Sequence, residues 1–165
     1  MGLMLRPATP NDERFLYRLV YDHMAETLMA SLWDPQVQEP LLKMQVEGQR
    51  AAYASQYPSA DYAIIMYDDE AIGRIIMERG PNTHYLVDIT ILKKYRQKGI
   101  GTWLMRALCT EAEMMRKPLR LHVFVTNRAK RLYERLGFRT IEDGEVTLLM
   151  ERAPGTASLV SLAQP

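Results

Sequence analysis

Residues 89–105 read ITILKKYRQKGIGTWLM, and the fold turns on how they are parsed. The β-branched run Ile89, Thr90 and Ile91 has the composition of a strand end. Four basic side chains follow, Lys93, Lys94, Arg96 and Lys98, and then the pair Gly99 and Gly101. Beyond the glycines, Ile100, Leu104, Leu108, Ala112 and Met115 recur at helical spacing until Pro118 ends the run. A strand, a basic turn, G-x-G and a helix together describe a backbone that curls so its N–H groups converge, with the positive end of the helix behind them. That arrangement binds anions, although a merely tight connection would explain two glycines as well. It is not a P-loop, because the lysine precedes the glycines instead of following the second one. It is not a dinucleotide fingerprint either, since Leu104 stands where the third glycine belongs.

Working outward, HYLVDITIL alternates Tyr85, Val87, Ile89 and Ile91 on one face with Leu86, Asp88 and Thr90 on the other. On the far side of the helix, LRLHVFV reads as a strand and NRAKRLYERLGF as a short helix. Its apolar stripe is Ala129, Leu132, Tyr133 and Leu136, closed by Gly137. FRTIEDGEVTLLMER places Asp143 and Gly144 between two β-type runs, a hairpin. Toward the N-terminus, DYAIIMYDDEAIGRIIMERG gives two strands around Asp68, Asp69 and Glu70. MLRPA predicts a first strand, and TPNDERFLYRLVYDHM a helix with Thr9 as N-cap, Pro10 in the first position and Asp12 as a capping acid. A second helical region runs from Pro35 to about Tyr53. The order β-α-α-β-β-β-α-β-α-β-β predicts an α/β chain of the α+β type, a mixed and mostly antiparallel central sheet flanked by helices.

The chain has 165 residues, 47% hydrophobic and 25% charged, which suits one soluble domain with a sizeable core. We expect that domain over residues 1–153 and an uncharged tail over 154–165. A net charge of +1 argues against a nucleic-acid partner, despite Arg128, Lys130, Arg131 and Arg135 on one short helix. No apolar run reaches the roughly 20 residues of a membrane span, and a single cysteine, Cys109, fits a reducing compartment. A cytoplasmic protein with no membrane partner is the expectation. No His, Cys and carboxylate set has metal-ligand spacing.

ITILKKYRQKGIGTWLM resembles the signature of the GNAT-type N-acetyltransferases, whose Arg/Gln-x-x-Gly-x-Gly/Ala turn is matched by Arg96, Gly99 and Gly101. The likeness continues in LHVFVTNRAKRLYERLGFR, similar to that family's strand followed by Asn, Ala, Tyr and Gly-Phe, and in LRPATPNDE at the start. It covers residues 3–152. The resemblance implies a GNAT-like domain that binds acetyl-CoA, the acetyl donor, between two splayed parallel strands. Carried over, Gln97, Lys98, Gly99, Ile100, Gly101 and Thr102 offer N–H groups to the pyrophosphate, with Arg96 adding charge. Ile89, Thr90 and Ile91 pair through their backbone with the pantetheine arm. Asn127 would touch the cofactor. The family Asn stands seven residues before the Tyr, whereas Asn127 stands six before Tyr133, so either Thr126 holds that position or the loop is shorter. Capping of the following helix accounts for Asn127 equally well.

Acetyl transfer from a thioester to an amine requires an ammonium of pKa about 10.4 to lose a proton, and a departing thiolate to gain one. The resemblance assigns the second role to Tyr133. Full transfer from a phenol of pKa about 10 to a thiol of about 8.5 costs about 2 kcal/mol in water, which hydrogen bonding to a growing thiolate largely avoids. Asp88 is the first choice of base, as the only carboxylate in the strand before the turn; His122 and a water chain are the alternatives. A backbone N–H near Ile91 would face the developing oxyanion. The expected acceptor is a primary amine of a small molecule or peptide, bound near the first two helices and the loop MAETLMASLWDPQ, with Trp33 and methionines as lining and Glu26, Asp34 and Glu39 as attractants. His23 and His84 read as surface or structural. The rival is a catalytically silent acyl-CoA-binding module. The apolar last hairpin and the SLVSLA tail offer a surface on which two copies pair as a homodimer.

Overall fold

A computed structural model describes residues 2–156. Two compact units make up the chain, Met1–Ile76 with Asp88–Arg96, and Met77–Val87 with Gln97–Pro165. The expected tail and the SLVSLA pairing surface belong, from residue 157 onward, outside the described residues.

In the first unit, β1 (Leu3–Pro7) runs antiparallel to β2 (Asp61–Tyr67), from Leu3 opposite Tyr67 to Pro7 opposite Ala63. β2 returns as β3 (Glu70–Arg79) through Asp68 and Asp69, whose φ of 45° and 67° give the left-handed pair that a two-residue hairpin needs. Helices α1 (Glu13–Thr27) and α2 (Pro35–Gln56) bury Leu19, Val20, Leu42 and Val46 in a core with Ile64, Ile65, Ile72, Ile75 and Ile76. Asp34 starts α2 by accepting from the Gln36 N–H at 2.8 Å. That helix continues to Gln56, a little past the expected end.

The entry to α1 is a short 3-10 turn, Pro10–Asp12, and its stability comes from one buried carboxylate. Asp12 accepts from the Thr9 N–H at 2.8 Å and the Thr9 hydroxyl at 3.0 Å, as the capping pattern predicts. The sequence reading lacked its other partner. Arg6 on β1 grips both carboxylate oxygens, at 2.8 and 2.7 Å. The Arg6 hydrogen bonds, then the Thr9 N–H, hold the Asp12 carboxyl far below the usual aspartate range.

In the second unit, β4 (His84–Ile91, whose last four residues belong to the first unit) lies parallel to β5 (Leu119–Phe124). The crossover between them is α3 (Ile100–Met114). The parallel ladder has three rungs, His84 with Leu119, Tyr85 with Arg120 and Leu86 with Leu121, and ends there although both strands run on. After α4 (Ala129–Arg135), the hairpin of β6 (Arg139–Asp143) and β7 (Thr147–Arg152) lays β7 antiparallel to β5. Leu104, Met105, Leu108, Ala112, Leu119, Leu121 and Met150 form the core. α3 ends before Pro118 is reached. Arg116 takes a left-handed φ of 53°, and the N–H groups of Arg116 and Lys117 return to the carbonyls of Glu113 and Ala112 at 3.0 and 2.9 Å. Met115 therefore leaves the apolar stripe and is exposed.

The seven strands follow the order β1-β2-β3-β4-β5-β7-β6, and the elements occur in the sequence-predicted succession. The fold is thus one mixed seven-stranded sheet with flanking helices. The alternation predicted along β4 holds, but the face carrying His84, Leu86 and Thr90 is the buried one. His84, read as surface or structural, is buried, and burial lowers its pKa.

On β3, Gly73 is fixed by its neighbour. A Cβ there would meet the Thr90 carbonyl oxygen at 2.3 Å, a backbone atom that cannot swing away. Gly73→Ala should cost roughly 1–3 kcal/mol of stability. Gly48, inside α2 with nothing within 4 Å of such a Cβ, should gain about 0.5–1 kcal/mol as Gly48→Ala. Urea midpoints of the two variants should move in opposite directions. For Asp12, the depressed folded pKa means that its contribution is complete above the ordinary aspartate value of about 4 and fades as pH falls through the folded pKa. The stability difference between wild type and Asp12→Asn should hold steady above about pH 5 and narrow in acid.

Candidate functional site

The basic turn resolves into a 3-10 turn, Lys93–Tyr95, followed by extended Arg96 and two left-handed residues, Gln97 with φ 60° and Gly99 with φ 78°. Gly99 caps α3, whose first hydrogen bond runs from the Trp103 N–H to the Gly99 carbonyl at 2.9 Å. The N–H groups of Ile100, Gly101 and Thr102 precede that ladder, as at every helix start. Gly99 needs to be glycine for its φ. Gly101 has no such reason, and a Cβ on it would meet nothing within 4 Å. A side chain there would stand in open space beside the amides, so its lack leaves them approachable. That is a cradle for an anion.

Arg96 is spoken for within its own unit. Its Nε donates to the Ile91 carbonyl at 2.8 Å and its Nη1 to Glu26 on α1 at 2.8 Å, with Lys93 3.7 Å from the same carboxylate. The Arg96 hydrogen bond lowers the Glu26 pKa, so this carboxylate stays charged and offsets Arg96. Glu26 is therefore a brace for the strand end and no free attractant. Asp34 and Glu39 are likewise engaged, with the α2 cap and with Lys43 at 3.0 Å.

Along the same strand, Asp88 receives the Arg74 Nε at 2.9 Å and the Thr90 hydroxyl at 2.9 Å, both on Oδ2. Arg74 is buried on β3, and its Nη2 donates to Gln49 of α2 at 2.9 Å. His23 on α1 feels the charges of this group and of Arg96. Burial first, then Arg96, pushes its pKa down, and its shielded Nδ1 has no partner among the described residues. Burial, then the Asp88 charge, pushes the Tyr53 phenol up to about 12.

In the second unit, Tyr133 is buried on α4, its ring 5.8 Å from that of Phe138. Asn127 is exposed and caps α4, its Oδ1 accepting from the Ala129 N–H at 2.8 Å. His122, the second candidate base, is exposed on β5 with Nδ1 bonded to the Tyr85 hydroxyl. Cys109 is buried mid-helix and burial pushes its thiol up to about 11, which leaves no thiolate to attack anything.

The first unit also holds a cavity of about 460 Å³ among α1, α2, β2 and β3. Tyr17, Tyr53 and Tyr62 line it together with Gln49, Arg50 and Arg74. Trp33 and the methionines of the α1–α2 loop do not. Met29 and Leu32 of that loop are 64% and 79% exposed. Reasoning from sequence missed Arg74 and the tyrosines. The one available signal was an arginine in the middle of the apolar strand EAIGRIIM.

Residues 58–140, half of the chain, match the family model described as an acetyltransferase (GNAT) domain. Comparison with curated proteins gives no match. Among solved structures, the chain is similar to PaiA N-acetyltransferase from Thermoplasma acidophilum in complex with coenzyme A, at 18% identity and TM-score 0.68 over 93% of this chain and 99% of that one. A Corynebacterium glutamicum protein described as histone acetyltransferase HPA2 and related acetyltransferase gives 21%, 0.68, 96% and 100%. A GNAT family acetyltransferase from Elizabethkingia anophelis with acetyl-CoA bound gives 18%, 0.59, 92% and 97%. At such identities the structural likeness speaks for the fold, and the match over residues 58–140 speaks for kinship. The chain belongs to the GNAT acetyltransferase family.

Proposed function

We propose that the protein moves an acetyl group from acetyl-CoA directly to a primary amine of a small molecule or peptide. The observation that carries this reading is the start of α3, where three amide N–H groups precede the helical ladder beside a glycine with open space at its Cβ position. Relatives of the same fold bind coenzyme A or acetyl-CoA, which supports the same cargo here.

Acetyl-CoA supplies an acyl carbon already activated as a thioester. In this reading residues 97–102 turn their amides toward its pyrophosphate, with Arg96 largely balanced by Glu26. Ile89, Thr90 and Ile91 offer main-chain groups to the pantetheine arm, in a strand whose parallel ladder has already ended at Leu86. An N–H near Ile91 donates to the acyl oxygen as charge develops on it. Asp88 takes the proton from the acceptor ammonium. Its Oδ2 is held by Arg74 and Thr90, so Oδ1 is the oxygen left to accept. Tyr133 gives its hydroxyl proton to the departing sulfur as the carbon–sulfur bond breaks, and the second proton shed by the nitrogen as the amide forms restores the phenol. Asn127 keeps its amide nitrogen for the cofactor while its oxygen caps α4.

Calorimetric titration with acetyl-CoA and a thiol-release assay against a panel of amines test the reading. We expect cofactor uptake, release with at least one amine, and for Tyr133→Phe a fall in kcat of about 10²-fold with cofactor affinity unchanged. Absence of uptake would overturn the proposal, and uptake without turnover of any amine would leave the silent acyl-CoA-binding module instead. Because transfer is direct, Cys109→Ala should keep turnover within about twofold of wild type, whereas an acyl-cysteine route would abolish it.

A further inference from the structure

We infer that the cavity of the first unit is the acceptor site and that it takes a primary amine on an apolar or aromatic body that also carries a carboxylate, an amino-acid-like zwitterion and not a polycation. This rests on the acetyltransferase reading for the fate of the amine, but not for the binding.

Size comes first. A volume of about 460 Å³ falls in the range of small-molecule pockets and suits a ligand of one or two residues. Surface chemistry comes second. Three tyrosine rings and the apolar side chains Leu16, Val20 and Val46 provide most of the wall. Rings of this kind bury large flat ligand surface at little entropic cost. Tyr17 and Tyr53 are further steadied by Tyr21 and Tyr57, at ring separations of 6.2 and 6.4 Å.

Charge decides the class. Glu13, Arg50 and Arg74 are the charged residues of the lining. Glu13 and Arg50 stand 3.3 Å apart with both side chains about two-thirds in solvent, so they neutralise each other at the rim. Arg74 is different, being only 9% exposed. Asp88 fixes its Nε and Gln49 its Nη2, which locks the guanidinium plane. Its Nη1 has no partner among the described residues. A ligand carboxylate meets that nitrogen through a charge-assisted hydrogen bond. A polyamine finds no unpaired carboxylate on the wall and loses hydration without return.

Two matched pairs test this on the intact protein: L-phenylalanine against phenethylamine, and L-leucine against isoamylamine, with spermidine as the polycation. Calorimetry without acetyl-CoA reads binding, and thiol release with acetyl-CoA reads kcat/KM. Each amino acid should bind at least about tenfold tighter than its decarboxylated partner, in keeping with one charge-assisted hydrogen bond to Arg74, and spermidine should show no uptake. Arg74→Gln should reduce each amino acid to the level of its partner amine while acetyl-CoA uptake is unchanged. Should that variant fail to fold, Ala54→Trp, at an exposed helix position lining the cavity, should weaken both aromatic ligands with acetyl-CoA uptake intact. Equal or tighter binding of the decarboxylated amines or spermidine, or no uptake of any amino acid, overturns the inference. Failure of acetyl-CoA uptake alone would strike the transferase reading and leave the binding result to stand by itself.

Discussion

A guanidinium buried among isoleucines is stable only if its charge and its N–H groups are met, and Arg74 imposes that condition on the first unit. Asp88 supplies the charge from β4, Gln49 an acceptor from α2, and Thr90 orients Asp88 from two residues along the strand. One buried polar interaction thus ties two strands and a helix. It also explains why a face of β4 bearing an aspartate and a threonine lies inward: the polar groups satisfy one another. Replacing one member alone would strand a charge in the interior, so these residues depend on each other more than any apolar neighbour does.

A second constraint acts at the end of that strand. Arg96 bends back to the Ile91 carbonyl and reaches Glu26, so the basic turn is anchored before the helix begins. The side chain that looks most like an anion trap in the sequence acts first as a clamp on the backbone. In the proposed reading, recognition at the turn depends mainly on amides, whose direction is set by φ at Gln97 and Gly99. Backbone donors hold their geometry better than a long cationic side chain, which suits a cargo whose phosphate must be held in one register.

Element order, the strand–turn–helix at Gly99 and the stripe of α3 were legible because they depend on local periodicity and on glycine, which a sequence displays directly. Asp12 as a capping acid was legible for the same reason, whereas its grip on Arg6 joins a helix entry to a strand and leaves no local mark. The cavity of the first unit was not legible. Its tyrosines come from two helices and a strand, at positions 17, 53 and 62, and nothing in their spacing says that they converge. The loop with Trp33 drew attention through composition alone, and none of its residues lines that cavity. The end of α3 was anticipated from Pro118 but made earlier by Arg116, because a left-handed cap on a non-glycine residue has no reliable sequence signature.

Cys109 is the only sulfhydryl in the chain, enclosed in α3 beside the core of the second unit. Folded copies accordingly have no exposed thiol for covalent cross-linking. The same burial makes the sulfur a built-in clock. The rate of alkylation at this atom reports how readily the packing around it opens, from a native residue with no label introduced.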